Sequence, residues 1–340
     1  MTEATSAAPT IVGPHPDPAQ AEAPDNIADG DLQAERGRRE TLALAAAVAE
    51  GGDAQALAVA ALLRTAGLPP AEDVKADASA MAKPGMDDTV RDWLDTAERQ
   101  APDDVVRLVV AIYLERFDEG RRQALIARWR ALEPDNLVPI LFLRLPDSAL
   151  FDAAMTANVY DSHYDDFLRA VFTSLMRPSI QSRVRLRAAQ EGVLPEEYVA
   201  ALANNAWFST SMPSLDPISS PCRKQPLDEV RRAPCRRLAE ILVGRSDTLL
   251  SELIGVAIMK RHANTSAELR EIEERHRTLR WITRCSSESY ERDPRTHMKR
   301  YAQILKAAGA FTEQSMLRQF ALEAGYPPVP PPGWQPGQEH

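Results

Sequence analysis

Apolar residues recur along this chain at the three-and-four spacing of an amphipathic helix, and β-branched alternation is almost absent. Helical pattern begins near Asp31, where Leu32 leads into Leu42, Leu44, Ala47 and Val48 before Gly51-Gly52 ends the stripe. Asp53 caps a second stripe, Leu57 to Leu63, which closes at Gly67-Leu68-Pro69-Pro70. These two predict a helical hairpin. Residues 71–86 read as a loop with at most one helical turn. Asp87-Asp88 then caps a helix carrying Val90, Trp93, Leu94 and Ala97. Pro102-Asp103-Asp104 starts the next, Val105 to Phe117, which lacks a polar stripe and is therefore expected at the centre of the core.

A tight turn, Pro134-Asp135-Asn136, separates the stripe Leu125, Ile126, Trp129 from the apolar run Leu137–Leu145. The proline stops one helix and the two polar residues can cap the next. Asp147-Ser148 caps a helix through Leu150, Phe151 and Ala154, and Asp161 or Ser162 caps one through Phe167, Val171 and Leu175. Residues 179–190 and Pro195–Phe208 continue the alternation. Ser209–Pro221 is rich in turn formers and is expected to be a loop. Beyond it, helices are predicted over Leu227–Val243, Asp247–His262, Ser266–Cys285, Arg295–Ala308 and Thr312–Ala324, with a capping box at Thr265–Glu268.

The 32-residue spacing between Pro70, Pro102 and Pro134, with the Leu-x-Pro-x-Asn form of the last turn, resembles tetratricopeptide repeats over about residues 87–170. That resemblance implies an all-α fold of stacked antiparallel helical hairpins, an α-solenoid whose exposed face binds other proteins. The layout is also similar to uncharacterised helical proteins of proteobacteria ending in Pro-Pro-Pro-Gly-Trp, which brings no function with it. The expected organisation is a disordered segment 1–30, an N-terminal helical-repeat lobe 31–208, a Pro/Ser-rich loop 209–221, a C-terminal helical lobe 222–326 and a Pro-rich tail 327–340. The tail is expected to lie over the last helix with Trp334 in a groove, rather than to serve as a ligand for a proline-binding domain.

Composition adds two points. Residues 1–166 hold 15 Lys/Arg against 30 Asp/Glu, and residues 167–340 hold 25 against 19. An acidic half joined to a mildly basic one suits intramolecular or head-to-tail pairing, and basic residues so interleaved with acids and so poor in aromatics do not suggest nucleic acid. No apolar run approaches the ~20 residues of a membrane span, and the first residues lack a signal-peptide pattern, so a cytoplasmic location is expected. The three cysteines change this. Cys222 and Cys235 stand in matching Pro-Cys-Arg contexts, and if they form a disulfide the expected location becomes periplasmic.

Catalytic and cofactor motifs are absent: there is no Gly-rich phosphate loop, no nucleophile elbow and no His-Glu-x-x-His. Asp161, His163, Asp165 and Asp166 are close enough in sequence to share a proton or a metal, but the same residues make a good helix start. Arg177, Arg183, Arg185 and Arg187 form the densest basic set, suited either to an acidic ligand or to the acids of the preceding lobe. His262, His276 and His297 fall on separate helices, and Glu271–Arg275 and Glu273–Arg277 are spaced for pairs on one helix face. The expected function is a protein-interaction scaffold without cofactor. The alternatives are an enzyme using the Asp161–Asp166 cluster, or an anion or ligand sensor using the arginines.

Overall fold

Asp53 and Asp87 cap helices as expected, Asp118 and Asp293 do so unanticipated, and the expected cap at Asp147-Ser148 is absent, Pro146 preceding that helix with no side-chain bond. Asp53, Asp87, Asp118 and Asp293 each accept the backbone N–H three residues on, at 2.9–3.0 Å. The structure, a computed structural model, describes residues 25–68, 87–114, 118–143, 145–208, 214–223 and 229–337, with backbone alone at 25–34 and 229. The expectations for residues 1–24, 69–86, 115–117, 144, 209–213, 224–228 and 338–340 lie outside the described residues.

The described residues form sixteen helices and no strand. The first eight are α1 (Asp25–Ala49), α2 (Ala54–Gly67), α3 (Asp88–Gln100), α4 (Val105–Leu114), α5 (Glu119–Leu132), α6 (Val138–Phe142), α7 (Asp147–Thr156) and α8 (Tyr164–Leu175). There follow α9 (Gln181–Glu191), α10 (Pro195–Phe208), α11 (Asp216–Arg223), α12 (Glu229–Gly244) and α13 (Leu249–His262). The chain closes with α14 (Ser266–Arg292), α15 (Pro294–Lys306) and α16 (Glu313–Glu323).

Two helices organise the core. In α2 the run from Ala56 to Leu63 is buried without a break, and its alanines let α1, α3, α4, α8 and α10 all approach it. In α4 every residue from Arg107 to Leu114 is buried, as its unbroken apolar character requires. Trp129 of α5 is fully buried and packs on Phe142 of α6.

The stacking is not purely between chain neighbours. α8 and α10 pack on α2 and also on α15, and α7 packs on α12. One continuous apolar core therefore runs from Leu44 to Phe320, through both proposed lobes. Residues 209–221 separate the segments in sequence without dividing that core.

Several expectations need correction. Helix α1 begins at Asp25, six residues before the predicted start, so residues 25–30 are helical. The run Leu137–Leu145 forms only the short α6, which stops at Phe142, four residues before Pro146; at its start Asn136 Oδ1 still accepts from Val138 N while also holding a distant segment. The predicted loop at 209–221 already contains α11, with Pro221 and Cys222 on it. Pro221 is the sixth of its eight residues, past the first turn, so it leaves the Pro217 carbonyl without a helical N–H donor. Thr265 accepts from Glu268 N, but the Glu268 carboxylate returns to Asn264 N; a full capping box occurs instead at Thr312 and Ser315.

Candidate functional site

Three segments that no periodicity connects lie side by side at residues 135–137, 158–161 and 245–247. Leu137 N donates to Val159 O, Asn158 N to Asp135 O, Tyr160 N to Arg245 O and Asp247 N to Tyr160 O. These isolated parallel bridges join the Pro-Asp-Asn turn to the segment between α12 and α13. Asn136 serves as the pin. Its amide donates to Asp161 O and Glu133, and its oxygen accepts from Val138 N and Asp161 N. Every polar valence of a buried Asn is thereby used.

The acidic cluster lies in this junction. His163, in place of Asp161 or Ser162, occupies the N-cap of α8, with a left-handed backbone (φ 59°). Its ring is buried between Glu133 and Asp166, 3.1 Å from each, and faces Trp129. Burial by itself would lower the imidazole pKa, but the bonds to Asp166 and Glu133 outweigh it and carry it up to about 10. Burial likewise raises Glu133, yet the donors His163, Asn136 and Trp129 Nε1 hold it at about 2. The two form an ion pair at neutral pH.

The free N–H groups that start α8 are satisfied from 83 residues away. Asp247 Oδ2 accepts from Ser162 N, Ser162 Oγ and Tyr164 N, while its Oδ1 is buried without a partner. Burial pushes this carboxyl well above the usual range. Asp165 pairs with Arg169 and accepts from Phe311 N; Asp161 accepts from His163 N. Each acid of the cluster thus holds backbone or a neighbouring cation. Among the described residues, no three His, Cys, Asp or Glu side chains are grouped as a metal ion needs.

The arginine set divides. Arg177 pairs with Asp53, and Arg187 with Glu40. Both acids belong to the preceding helices α1 and α2, as the charge asymmetry suggested. Arg183 and Arg185 are exposed, and among the described residues neither has a carboxylate at ion-pair distance, although Arg185, after Lys306, helps hold the Glu196 carboxyl below its usual range. At about 100° per residue, Leu186 falls between them on the outer arc of α9, and it is 62% exposed. Val184 and Ala188 on the opposite side are buried and fix the rotation of the helix.

Cys222 on α11 and Cys235 on α12 form a disulfide with Cα atoms 5.6 Å apart, and both residues are fully buried. His262 at the end of α13 packs against it, Nε2 lying 3.3 Å from Cys222 O. His276 and His297 sit elsewhere, on α14 and α15, so the three do not converge. The pairs expected within α14 are replaced: Arg275 reaches Glu252 of α13, and Arg277 bonds Glu274. Cys285 is a buried thiol.

The tail lies against α14 as well as α16. Trp334 stacks edge-on against Trp281 at 5.3 Å, Trp281 Nε1 donates to Pro327 O, and Ala321 completes the cluster. A cleft of about 290 Å³ between α2, α4 and α8 is bordered by Asp166, Arg169 and Gln55. Arg107 lies in its wall but turns its guanidinium onto the carbonyls of Ala101 and Pro102, and its remaining nitrogen is shut off from solvent. Comparison with known protein families, with curated proteins and with solved structures finds no match to this chain.

Proposed function

We propose that this protein is an interaction module, a stack of antiparallel helical hairpins of tetratricopeptide-like character that binds another protein through the outer face of α9. One observation carries the reading. Of four arginines close in sequence, Arg177 and Arg187 pair with acids of α2 and α1, while Arg183 and Arg185 stand exposed on either side of an exposed leucine, Arg185 within electrostatic reach of Glu196. Arginine is among the residue types enriched in protein-binding patches. Of the acids between Asp161 and Asp166, Asp161 holds the backbone of its own turn, Asp165 joins α8 to Phe311 and Asp166 holds the His163 ring. The buried Cys222–Cys235 bridge favours the periplasmic alternative over the cytoplasmic one.

The test is photo-crosslinking in the native host, with the probe placed at Ser182 or Gln190, which share the outer arc of α9 with Leu186. A discrete protein adduct should form, and it should disappear in Arg183→Glu/Arg185→Glu/Leu186→Asp without a change in melting temperature. Absence of any α9 adduct, or an adduct that persists in the triple variant, overturns the reading.

A further inference from the structure

We infer that the cleft between α2, α4 and α8, a feature independent of α9, binds a small primary amine in its ammonium form, carried on an apolar body. Shape and floor are the first argument. The cleft encloses about 290 Å³, at the lower end of the roughly 300–1,000 Å³ of small-molecule pockets. Its floor is apolar: Val59 of α2, Val110 of α4, and Phe167 and Val171 of α8 are buried side chains that line it. A ligand lying there must offer carbon surface.

The polar groups of the walls decide the rest. Their side-chain donors are spent or shut away. Arg169 gives Nε to Asp165 and its two terminal nitrogens to the carbonyls of Leu305, Ala307 and Gly309. Arg107 gives two nitrogens to the carbonyls that end α3, while its third is shut off from solvent. Gln55 Nε2 is held by Ala170 O and the hydroxyls of Thr173 and Ser174, and Thr173 Oγ1 donates to Arg169 O. The acceptors are only half used. Asp104 accepts from Arg107 N and Asp166 from the His163 ring, each through one oxygen, and Gln55 Oε1 accepts no hydrogen bond among the described residues. The open valences are therefore oxygens, and a ligand meets them by donating, as the three N–H groups of an ammonium do.

Charge agrees with this. Arg169 is matched by Asp165 and Arg107 by Asp104, and His163 is shared by Asp166, Glu133 and Asp161. Arg121 and Arg128, which also act on Arg107, are held by Asp95, Glu98 and Asp103. The acids exceed the cations they hold, so the neighbourhood favours one more positive charge. A carboxylate or phosphate finds no free donor in these walls. A wholly apolar ligand would cut the free oxygens off from water without replacing their hydrogen bonds.

The test is calorimetric titration of the full chain, disulfide intact, with benzylammonium, benzoate and benzyl alcohol, which share one ring. Benzylammonium should bind saturably; benzyl alcohol should bind roughly tenfold more weakly, and benzoate not at all. This comparison needs no variant. Asp104→Asn keeps an oxygen for Arg107 N and turns the free acceptor into a donor, so it should weaken benzylammonium roughly tenfold or more with the melting temperature unchanged. A partner's lysine is the other source of the same chemistry. Nα-acetyl-lysine methylamide should therefore bind no tighter than n-butylammonium, which is that side chain alone, and tighter binding overturns the small-molecule reading. No benzylammonium binding at millimolar concentration, benzoate binding as well as benzylammonium, or unchanged affinity in Asp104→Asn overturns the inference outright. Each of these outcomes leaves the reading of α9 untouched.

Discussion

His163 takes a left-handed backbone that costs a non-glycine residue about 1 kcal/mol or more, and its ion pairs offset that cost. His163→Asn tolerates the same backbone but removes the cation, leaving Glu133 without its charge partner. The expected loss is about 2–3 kcal/mol near neutral pH, less than for a fully buried pair because Glu133 keeps some solvent contact. The sign with pH follows from the two groups. Glu133 is depressed to about 2, so its contribution is present above its ordinary value of 4.5 and is lost as pH falls toward 2. His163 is raised to about 10, so its contribution is complete below 6.5 and is lost as pH rises toward 10. Denaturant titrations of both proteins from pH 3 to pH 10, an interval of ~7 units, should show their stability difference greatest between these limbs. A difference that does not vary with pH would refute the ion pair. Asp247 acts in the sense opposite to Glu133: its carboxyl is raised by burial, so its contribution falls as pH climbs above the unfolded carboxylate range.

Among the elements, α4 is the most exacting. Val109 and Ile112 are 0% and 2% exposed, so Val109→Asp or Ile112→Asp buries an unpaired charge. The cost is several kcal/mol against a total stability of about 5–15, and loss of the folded state is expected. Retention of the melting temperature with altered oligomerisation in size-exclusion chromatography would mean that α4 is an interface. A second close contact lies between α12 and α13. A methyl built on Gly255 meets Leu242 Cβ at 2.6 Å and Val243 Cγ2 at 2.9 Å, so Gly255→Ala must push the two helices apart. The expected destabilisation is about 1–2 kcal/mol, overpacking outweighing the better helix propensity of alanine. Gly244, where a methyl meets nothing within 4 Å, is the control. Urea midpoints for the two alanine variants should move apart; equal midpoints would show that the α12–α13 spacing is loose.

For the whole molecule, a core that continues on both sides of residues 209–221 predicts one cooperative unfolding transition, with the same midpoint reported by Trp129 inside it and by Trp281 in the smaller cluster with Cys285 and Ala321. Two separated transitions would show that the lobes fold independently. The disulfide spans 13 residues and joins α11 to α12 at the edge of this core. On the chain-entropy account it contributes roughly 3 kcal/mol, so Cys222→Ala/Cys235→Ala should lower stability by about 2–4 kcal/mol. Alkylation of the unfolded, unreduced protein should label Cys285 alone. Three labelled thiols after oxidative purification would reject the bridge.

Helix type, most helix centres and the caps at Asp53 and Asp87 were legible in the residues, because a helix hydrogen-bonds within itself and its burial pattern repeats every 3.6 residues. The buried character of α4 was legible for the same reason: no rotation of that sequence yields a polar face. Pairing of Arg177 and Arg187 with the acidic half was anticipated in kind, from net charge, but not in partner. Only the tertiary structure decided the junction at residues 135–137, 158–161 and 245–247. There Asn136 leaves a simple capping role, His163 displaces Asp161 as the N-cap, and Asp247 supplies hydrogen bonds to a helix start 83 residues earlier. Such contacts carry no sequence period, since they satisfy backbone groups brought together by packing and not by chain spacing. The same holds for the free faces: a row of arginines in a sequence is symmetric, and it took the burial of Val184 and Ala188 to turn Arg183 and Arg185 outward.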